Sequence, residues 1–284
     1  MDFTIITPNL NGGRFLGDCL ASVARQEGAL LEHLVVDGGS EDDSARLVAA
    51  HPHARWIPQP GSSMSQAINA GFDRACGEWV MWLNSDDRLK DRALRYVRQA
   101  AARQESADVV YGGFDLIDAE GGRIRRINPS FWSPFISVHH ECQIPSTACF
   151  FRRRTVMDEG FRLRNDFHCV MDGEFYLRLH AAGKKLVFLP MALADFRLHD
   201  ANVSRRFLVC GRDLDKVLDV ERQHVESRSL RRVHGVTLFR DPYLNGLVDG
   251  VLWLATKGLK GLRKALRPHL PAVDEVSETD SRAG

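Results

Sequence analysis

The chain has 284 residues, 44% of them apolar and 26% charged, the balance of a globular protein with room for one large α/β domain and an appendage. With 38 Lys and Arg against 37 Asp and Glu, the net charge is +1, which excludes the broad basic field that recruits nucleic acid. Cysteines at 19, 76, 142, 149, 169 and 210 form no C-x-x-C pair and sit mostly in apolar segments, so reduced, packed thiols are expected rather than a disulfide framework.

The first residues enter a strand without the charged and apolar regions of a signal peptide, and no apolar stretch reaches membrane-spanning length. A cytoplasmic protein, or one peripheral at the inner face of a membrane, is expected.

Phe3–Thr7 reads as a strand ended by Pro8-Asn9-Leu10-Asn11-Gly12-Gly13, and a helix follows from about Arg14. The glycine spacing is not that of a dinucleotide fingerprint. His33–Val36 is a second strand, ending at Asp37-Gly38-Gly39-Ser40. Ser40 suits a helix cap, but Asp37 lies upstream of the turn, where a carboxylate can accept from a base or a ribose. Ala54–Ile57 is a third strand, and Met64–Ala75 a helix with Gln66 and Asn69 near its start. Trp79–Leu83 is an apolar run suited to a strand buried on both faces, stopped by Asn84-Ser85-Asp86-Asp87. Paired carboxylates beyond such a strand can hold a divalent cation or simply cap a turn.

Four segments, ITPNLNGGRFLGDCLASVARQ, VVDGGSEDDS, SMSQAINAGFDRACGEWVMWLNSDDRL and VMDGEFYLRL, resemble inverting family 2 glycosyltransferases in order and separation. The likeness covers roughly residues 3–200 and is most specific from Gln66 to Asp87. It implies a GT-A fold, with a mixed, mostly parallel sheet flanked by helices, and transfer of a sugar from a nucleoside diphosphate to an acceptor hydroxyl. By that resemblance Pro8 and Asn11 line the nucleotide pocket, together with Asn69. Asp37 reads the base, Asp86 faces the ribose or sugar, and Asp87 is the main protein ligand of Mn²⁺ or Mg²⁺. Ser85 stands at the first position of the family's D-x-D triplet. The implied partners are a UDP- or GDP-sugar donor and a glycan or lipid-linked acceptor.

Further along, Arg88–Arg103 reads as a helix, Ala107–Tyr111 as a strand leading to Gly112-Gly113, and Asp115–Gly122 as a hairpin turning at Glu120–Gly122. Asn128–His140 is irregular, of a length that suits an acceptor-side lid. His139, His140, Glu141 and Cys149 lack clean zinc spacing. Gln143–Arg153 holds a strand, and Arg152, Arg153 and Arg154 either meet phosphate or begin a helix.

A helix from Asp172 carries the family's catalytic base by resemblance, the group that takes the acceptor's proton. Glu174 lies roughly 200° around that helix and should meet Arg178 at i+4. Lys185–Pro190 is a last strand-like run. The segment from Arg197 resembles R-x-H-x-x-x-x-S, in which His199 supplies a nitrogen to the metal or diphosphate. The expected organisation is a catalytic domain over 1–205, a helical extension over 206–270 and a disordered tail over 271–284. Within the extension, an apolar stripe over 241–268 suits core packing, homo-oligomer contact or a membrane interface.

Two rivals remain at this level. A sugar-phosphate nucleotidyltransferase would carry a basic Gly-rich loop after its first strand, where only Arg14 stands. A non-catalytic binding module would have no need of Asp172.

Overall fold

The computed structural model describes residues 1–128, 132, 144–167 and 171–202. The expected boundary near 205, the extension, its 241–268 stripe, the tail, His139, His140, Glu141 and most of the Asn128–His140 loop lie outside the described residues. So do Cys142, Cys169 and Cys210. Of the other cysteines, Cys19 and Cys149 are buried, as their apolar surroundings suggest, whereas Cys76 is exposed.

In chain order the elements are β1 (Phe3–Asn9), α1 (Gly13–Ala24), β2 (Leu31–Asp37), α2 (Ser44–Ala49), β3 (Ala54–Pro58), α3 (Met64–Phe72), β4 (Trp79–Trp82) and β5 (Arg88–Leu89). They continue with α4 (Ala93–Arg103), β6 (Val109–Ile117), β7 (Arg123–Ile127), β8 (Cys149–Arg152), α5 (Arg153–Met157), α6 (Met171–Ala181) and β9 (Leu186–Arg197). The strands form one sheet in the order β3-β2-β1-β4-β8-β6-β9-β5, with β7 paired to β6 outside that line. β3, β2, β1 and β4 are mutually parallel, as are β6 and β9. β8 runs antiparallel to β4 and β6, β5 to β9, and β7 to β6.

The order 3-2-1-4 means the chain builds outward from β1 and then returns to β1's other side. The crevice beyond the carboxyl ends of β1 and β4 is therefore a topological switch point, the place where open α/β sheets bind ligands.

The continuous apolar run of β4 follows from burial on both faces. Val80 and Trp82 join Ile6, Phe72, Phe151 and Phe175 under α3 and α6. Trp79 and Met81, with the following Leu83, join Phe3, Ile5, Val23, Leu94 and Val97 under α1 and α4. Trp82 stacks on Phe151 at 5.3 Å and meets Phe72 and Phe175 edge-on at 6.2 and 6.3 Å.

β1 runs two residues past its expected end, through Pro8. Leu83 N–H donates to Ile6 on the β4 side, and Pro8 faces that same side just where β4 stops, so its missing N–H costs no ladder bond.

The expected helix over Arg88–Arg103 begins only at Ala93. Arg92 holds φ 61°, which a helix cannot pass through, and Arg88–Leu89 instead form β5 against Asp195 and Ala194. Gly112 and Gly113 do not end β6. A Cβ on Gly112 would stand 2.7 Å from Leu193, and one on Gly113 would stand 2.7 Å from the Ile127 carbonyl, so close strand approach is their role. The expected hairpin is present, its turn closed by Asp118 N–H to the Gly122 carbonyl at 2.9 Å. β9 continues through Pro190 because three residues there bulge opposite Gly112.

Arg152–Arg154 open α5 at the far end of β4. Arg152 pairs with Glu78 and Arg154 with Asp108, which favours the helix-start alternative. No helix among the described residues is long and apolar enough to cross a membrane.

Candidate active site

At the switch point the loops after β1 and β2 are laced together. The buried Asn9 carboxamide donates to Asp37 Oδ1 at 2.9 Å and to Ser40 Oγ at 3.0 Å. Asp37 Oδ1 also accepts the Ser40 hydroxyl at 2.5 Å, while Oδ2 accepts the backbone N–H groups of Gly39 and Ser40 at 2.9 and 2.8 Å. Burial pushes the Asp37 pKa up, but the donors from Ser40, Asn9 and Gly39 outweigh it and hold the carboxyl below its ordinary value. Asp37 is thus an ionised group whose two oxygens are engaged in shaping its own loop.

Asn11 takes the left-handed conformation that Asn tolerates, with φ 51°. Its N–H donates to Ser40 Oγ at 2.8 Å, and its Oδ1 accepts from Glu41 N–H at 2.9 Å. Gly12 then presses on the turn after β4, where a Cβ would fall 2.5 Å from Ser85 Oγ. The loops after β1 and β2 and the Asn84–Asp87 turn are therefore direct neighbours.

Asn69 lies on α3, whose start is fixed by a capping box between Ser63 and Gln66. Its carboxamide clasps Leu163, donating to the carbonyl at 2.8 Å and accepting the N–H at 3.0 Å. It lines a polar cleft of about 340 Å³ with Gln59, Ser62, Gln66, Asp73 and Asn165. The cleft adjoins the Asp37 loop, since Gln59 N–H donates to the Asp37 carbonyl and Gly61 N–H to Gly38.

Asp86 and Asp87 face different ways. Asp87 is 1% exposed, and its Oδ1 accepts the Arg197 backbone N–H at 3.0 Å. Burial and the adjacent Asp86 push its carboxyl well above the ordinary range. Asp86 is half-buried, and its Oδ2 accepts from His199 Nε2 at 2.9 Å and from Asn202 Nδ2 at 3.1 Å. Asp86 Oδ1 accepts no hydrogen bond among the described residues. The Ala201 N–H donates to His199 Nδ1 at 3.2 Å, so Nε2 is the ring nitrogen that faces Asp86. The imidazole rests on Phe15, ring centroids 4.6 Å apart. His199 therefore meets Asp86, whereas the resemblance joined it with Asp87. The difference lies in the turn: Arg197 draws the Asp87 carboxylate inward and leaves Asp86 at the mouth.

Among the described residues no cluster of three or more His, Cys, Asp or Glu has metal-ligand geometry. A divalent cation nevertheless fits the chemistry of this pair. A carboxylate oxygen without a partner stands beside an imidazole, and the buried charge next to it would be relieved by a cation. Two buried carboxamide oxygens, Asn9 Oδ1 and Asn84 Oδ1, also accept no hydrogen bond among the described residues, leaving open acceptors at the ends of β1 and β4.

Asp172 sits in the first turn of α6, accepting Gly173 N–H at 2.8 Å, and burial raises its pKa. Three residues on, Phe175 packs against Trp82 at the end of β4. Asp172 is thereby held within about one helical turn of the contact made at that end of the sheet. Glu174 turns away to Arg178, as its spacing requires, with bonds of 3.0 and 2.9 Å.

Two participants were given no role by the sequence, Asn202 and the side chain of Arg197. Arg197 is the first residue of the R-x-H-x-x-x-x-S segment, and Asn202 stands at one of its unspecified positions.

The family model described as glycosyl transferase family 2 matches residues 4–161. A PGL/p-HBAD biosynthesis glycosyltransferase of Mycobacterium bovis is 37% identical over 116 residues, covering 39% of this chain and 45% of that protein. The chain thus spans less than half the length of that curated relative. Among solved structures, S. aureus TarS 1-349 in complex with UDP-GlcNAc superposes with a TM-score of 0.60 at 16% identity, over 83% of this chain and 73% of that one. The mannosyltransferase PcManGT from Pyrobaculum calidifontis, in complex with GDP-Man and Mn²⁺, gives 0.55 at 14%, over 89% and 80%. These likenesses show the GT-A fold, and the model match covers more than half of the sequence: the chain belongs to glycosyl transferase family 2.

Proposed function

We propose that this protein moves a sugar from a nucleoside diphosphate to an acceptor hydroxyl in a single inverting displacement. The observation that carries the reading is the Asp86–His199 pair at the switch point, beside the laced loops of Asn11 and Asp37. In this reading Pro8, Asn11 and the Asp37 loop form the wall of the nucleotide pocket, and the cleft lined by Asn69 receives the base. Asp37 acts through its loop, because both of its oxygens are engaged there.

Asp86 and His199 would hold the divalent cation, with the buried Asp87 carboxyl behind them. A cation held there would supply Lewis-acid stabilisation of a departing diphosphate. An oxygen and an imidazole nitrogen together suit Mn²⁺ better than Mg²⁺. Asp172 accepts the proton of the attacking hydroxyl, and its raised pKa makes it a stronger base near neutral pH than an ordinary carboxylate.

The donor is a UDP- or GDP-sugar, in keeping with the ligands of the two solved neighbours. The acceptor is a glycan or lipid-linked glycan in polysaccharide or glycoconjugate assembly, in keeping with the biosynthetic name of the mycobacterial relative. The test is a thermal-shift panel of nucleotide sugars with and without Mn²⁺, repeated on two variants. Asp86→Ala should lose the Mn²⁺-dependent part of the shift, and Asp172→Asn should keep it while losing transfer. Transfer by Asp172→Asn at the parental rate would remove the base from the scheme.

A further inference from the structure

We infer that Arg197 is the positioning residue of this site, locking the end of β9 to the Asn84–Asp87 turn so that His199 meets Asp86. The inference rests on the reading of that pair as the metal-binding site. The Arg197 side chain is 1% exposed, which for an arginine demands that its charge and N–H groups be satisfied within the fold. Its Nε donates to the Asp86 carbonyl at 2.9 Å, Nη1 to the Ala119 carbonyl at 2.7 Å, and Nη2 to Asp18 Oδ2 at 2.7 Å. Its backbone N–H holds Asp87 Oδ1 at 3.0 Å, and its guanidinium lies 4.7 Å from the centre of the Phe15 ring.

One side chain therefore joins four segments: α1 through Phe15 and Asp18, the β6–β7 turn through Ala119, the carboxylate turn, and the end of β9. Phe15 lies against both Arg197 and His199, so the support of the guanidinium is also the support of the imidazole. With these bonds made, Arg197 is not free to grip a diphosphate; it acts through Asp86 and His199. Lysine could keep the charge but not a planar fork donating in three directions at once.

The test uses the full chain and Mn²⁺ alone as the probe, with free Mn²⁺ read by electron paramagnetic resonance. UDP and GDP binding without metal is measured in parallel. Arg197→Lys should weaken Mn²⁺ binding at least tenfold while leaving metal-free nucleotide binding within twofold and the urea transition cooperative, a split that a general structural defect would not give. Asp18→Ala, which removes a half-exposed partner on α1, should weaken Mn²⁺ binding in the same direction by at least threefold.

Mn²⁺ affinity within twofold of the parent in folded Arg197→Lys would overturn the inference. Should that variant not fold, the same result in Asp18→Ala would overturn it. Equal loss of metal and nucleotide binding would also overturn it. Asp86→Ala separates the two layers, because unchanged Mn²⁺ binding there would defeat the site reading itself.

Discussion

Replacing Gly12 with Ala tests whether the first loop and the carboxylate turn act as one surface. Gly12 caps α1 with φ −89°, so alanine meets no backbone strain, and at a neutral site Gly→Ala would add about 0.4–1 kcal/mol of stability. Here the new Cβ would stand 2.3 Å from Asn9 Oδ1, 2.5 Å from Ser85 Oγ and 3.0 Å from Ser85 Cβ. The Ser85 hydroxyl can rotate away, but its Cβ moves only with the turn. Asn9 can retreat only by loosening its bonds to Asp37 and Ser40. Overpacking of this kind costs about 1–3 kcal/mol, so the expected net loss centres on about 1 kcal/mol and does not exceed about 2.6 kcal/mol.

Activity should suffer more than stability. A displacement of about 1 Å in catalytic geometry costs on the order of 10²-fold, and Asp86 directly follows the displaced Ser85. Urea unfolding would give the stability change, and initial rates of sugar transfer with Mn²⁺ would give kcat/KM. Adding Ser85→Gly to Gly12→Ala removes two of the three close contacts and should restore part of both. Parental stability and rate in Gly12→Ala would refute the idea that the loop bears on the turn.

Two further outcomes concern pH. Because burial raises the Asp172 pKa, the acid limb of kcat/KM should lie above the ordinary carboxylate range, with activity lost as pH falls through it. In Asp172→Asn the rate should drop about 10²–10⁴-fold and the residual activity should lack that limb; an unchanged limb would assign it to another group. His33 is fully buried against Thr7, and burial, with His53 and His51 nearby, lowers its pKa to about 3. The unfolded chain binds that proton near pH 6.5 while the fold refuses it, so this contribution is intact above pH 6.5 and lost progressively towards pH 3. Between pH 7 and 5 the loss should be about 2 kcal/mol. His33→Gln should flatten the urea-midpoint profile relative to the parent over that interval, and identical slopes would exclude His33 as the source.

What the sequence determined by itself was whatever depends on neighbours along the chain. The double-faced apolar run of β4, the end of β2 at Asp37, the start of α3 at Met64 and the Glu174–Arg178 pair are set by period and spacing, and all are local. Tertiary structure decided the rest. β5 exists because β9, more than 100 positions away, offers Asp195 to Arg88. β6 continues through Gly112-Gly113 because neighbouring strands leave no room for a Cβ. Asp86 and Asp87 are adjacent and chemically identical in the sequence, yet one is drawn inward by the Arg197 backbone and the other is left facing His199. Adjacent side chains on a turn take their directions from the backbone, and this backbone is held by Arg197, whose partners on α1, the hairpin turn and the carboxylate turn meet only in the folded protein.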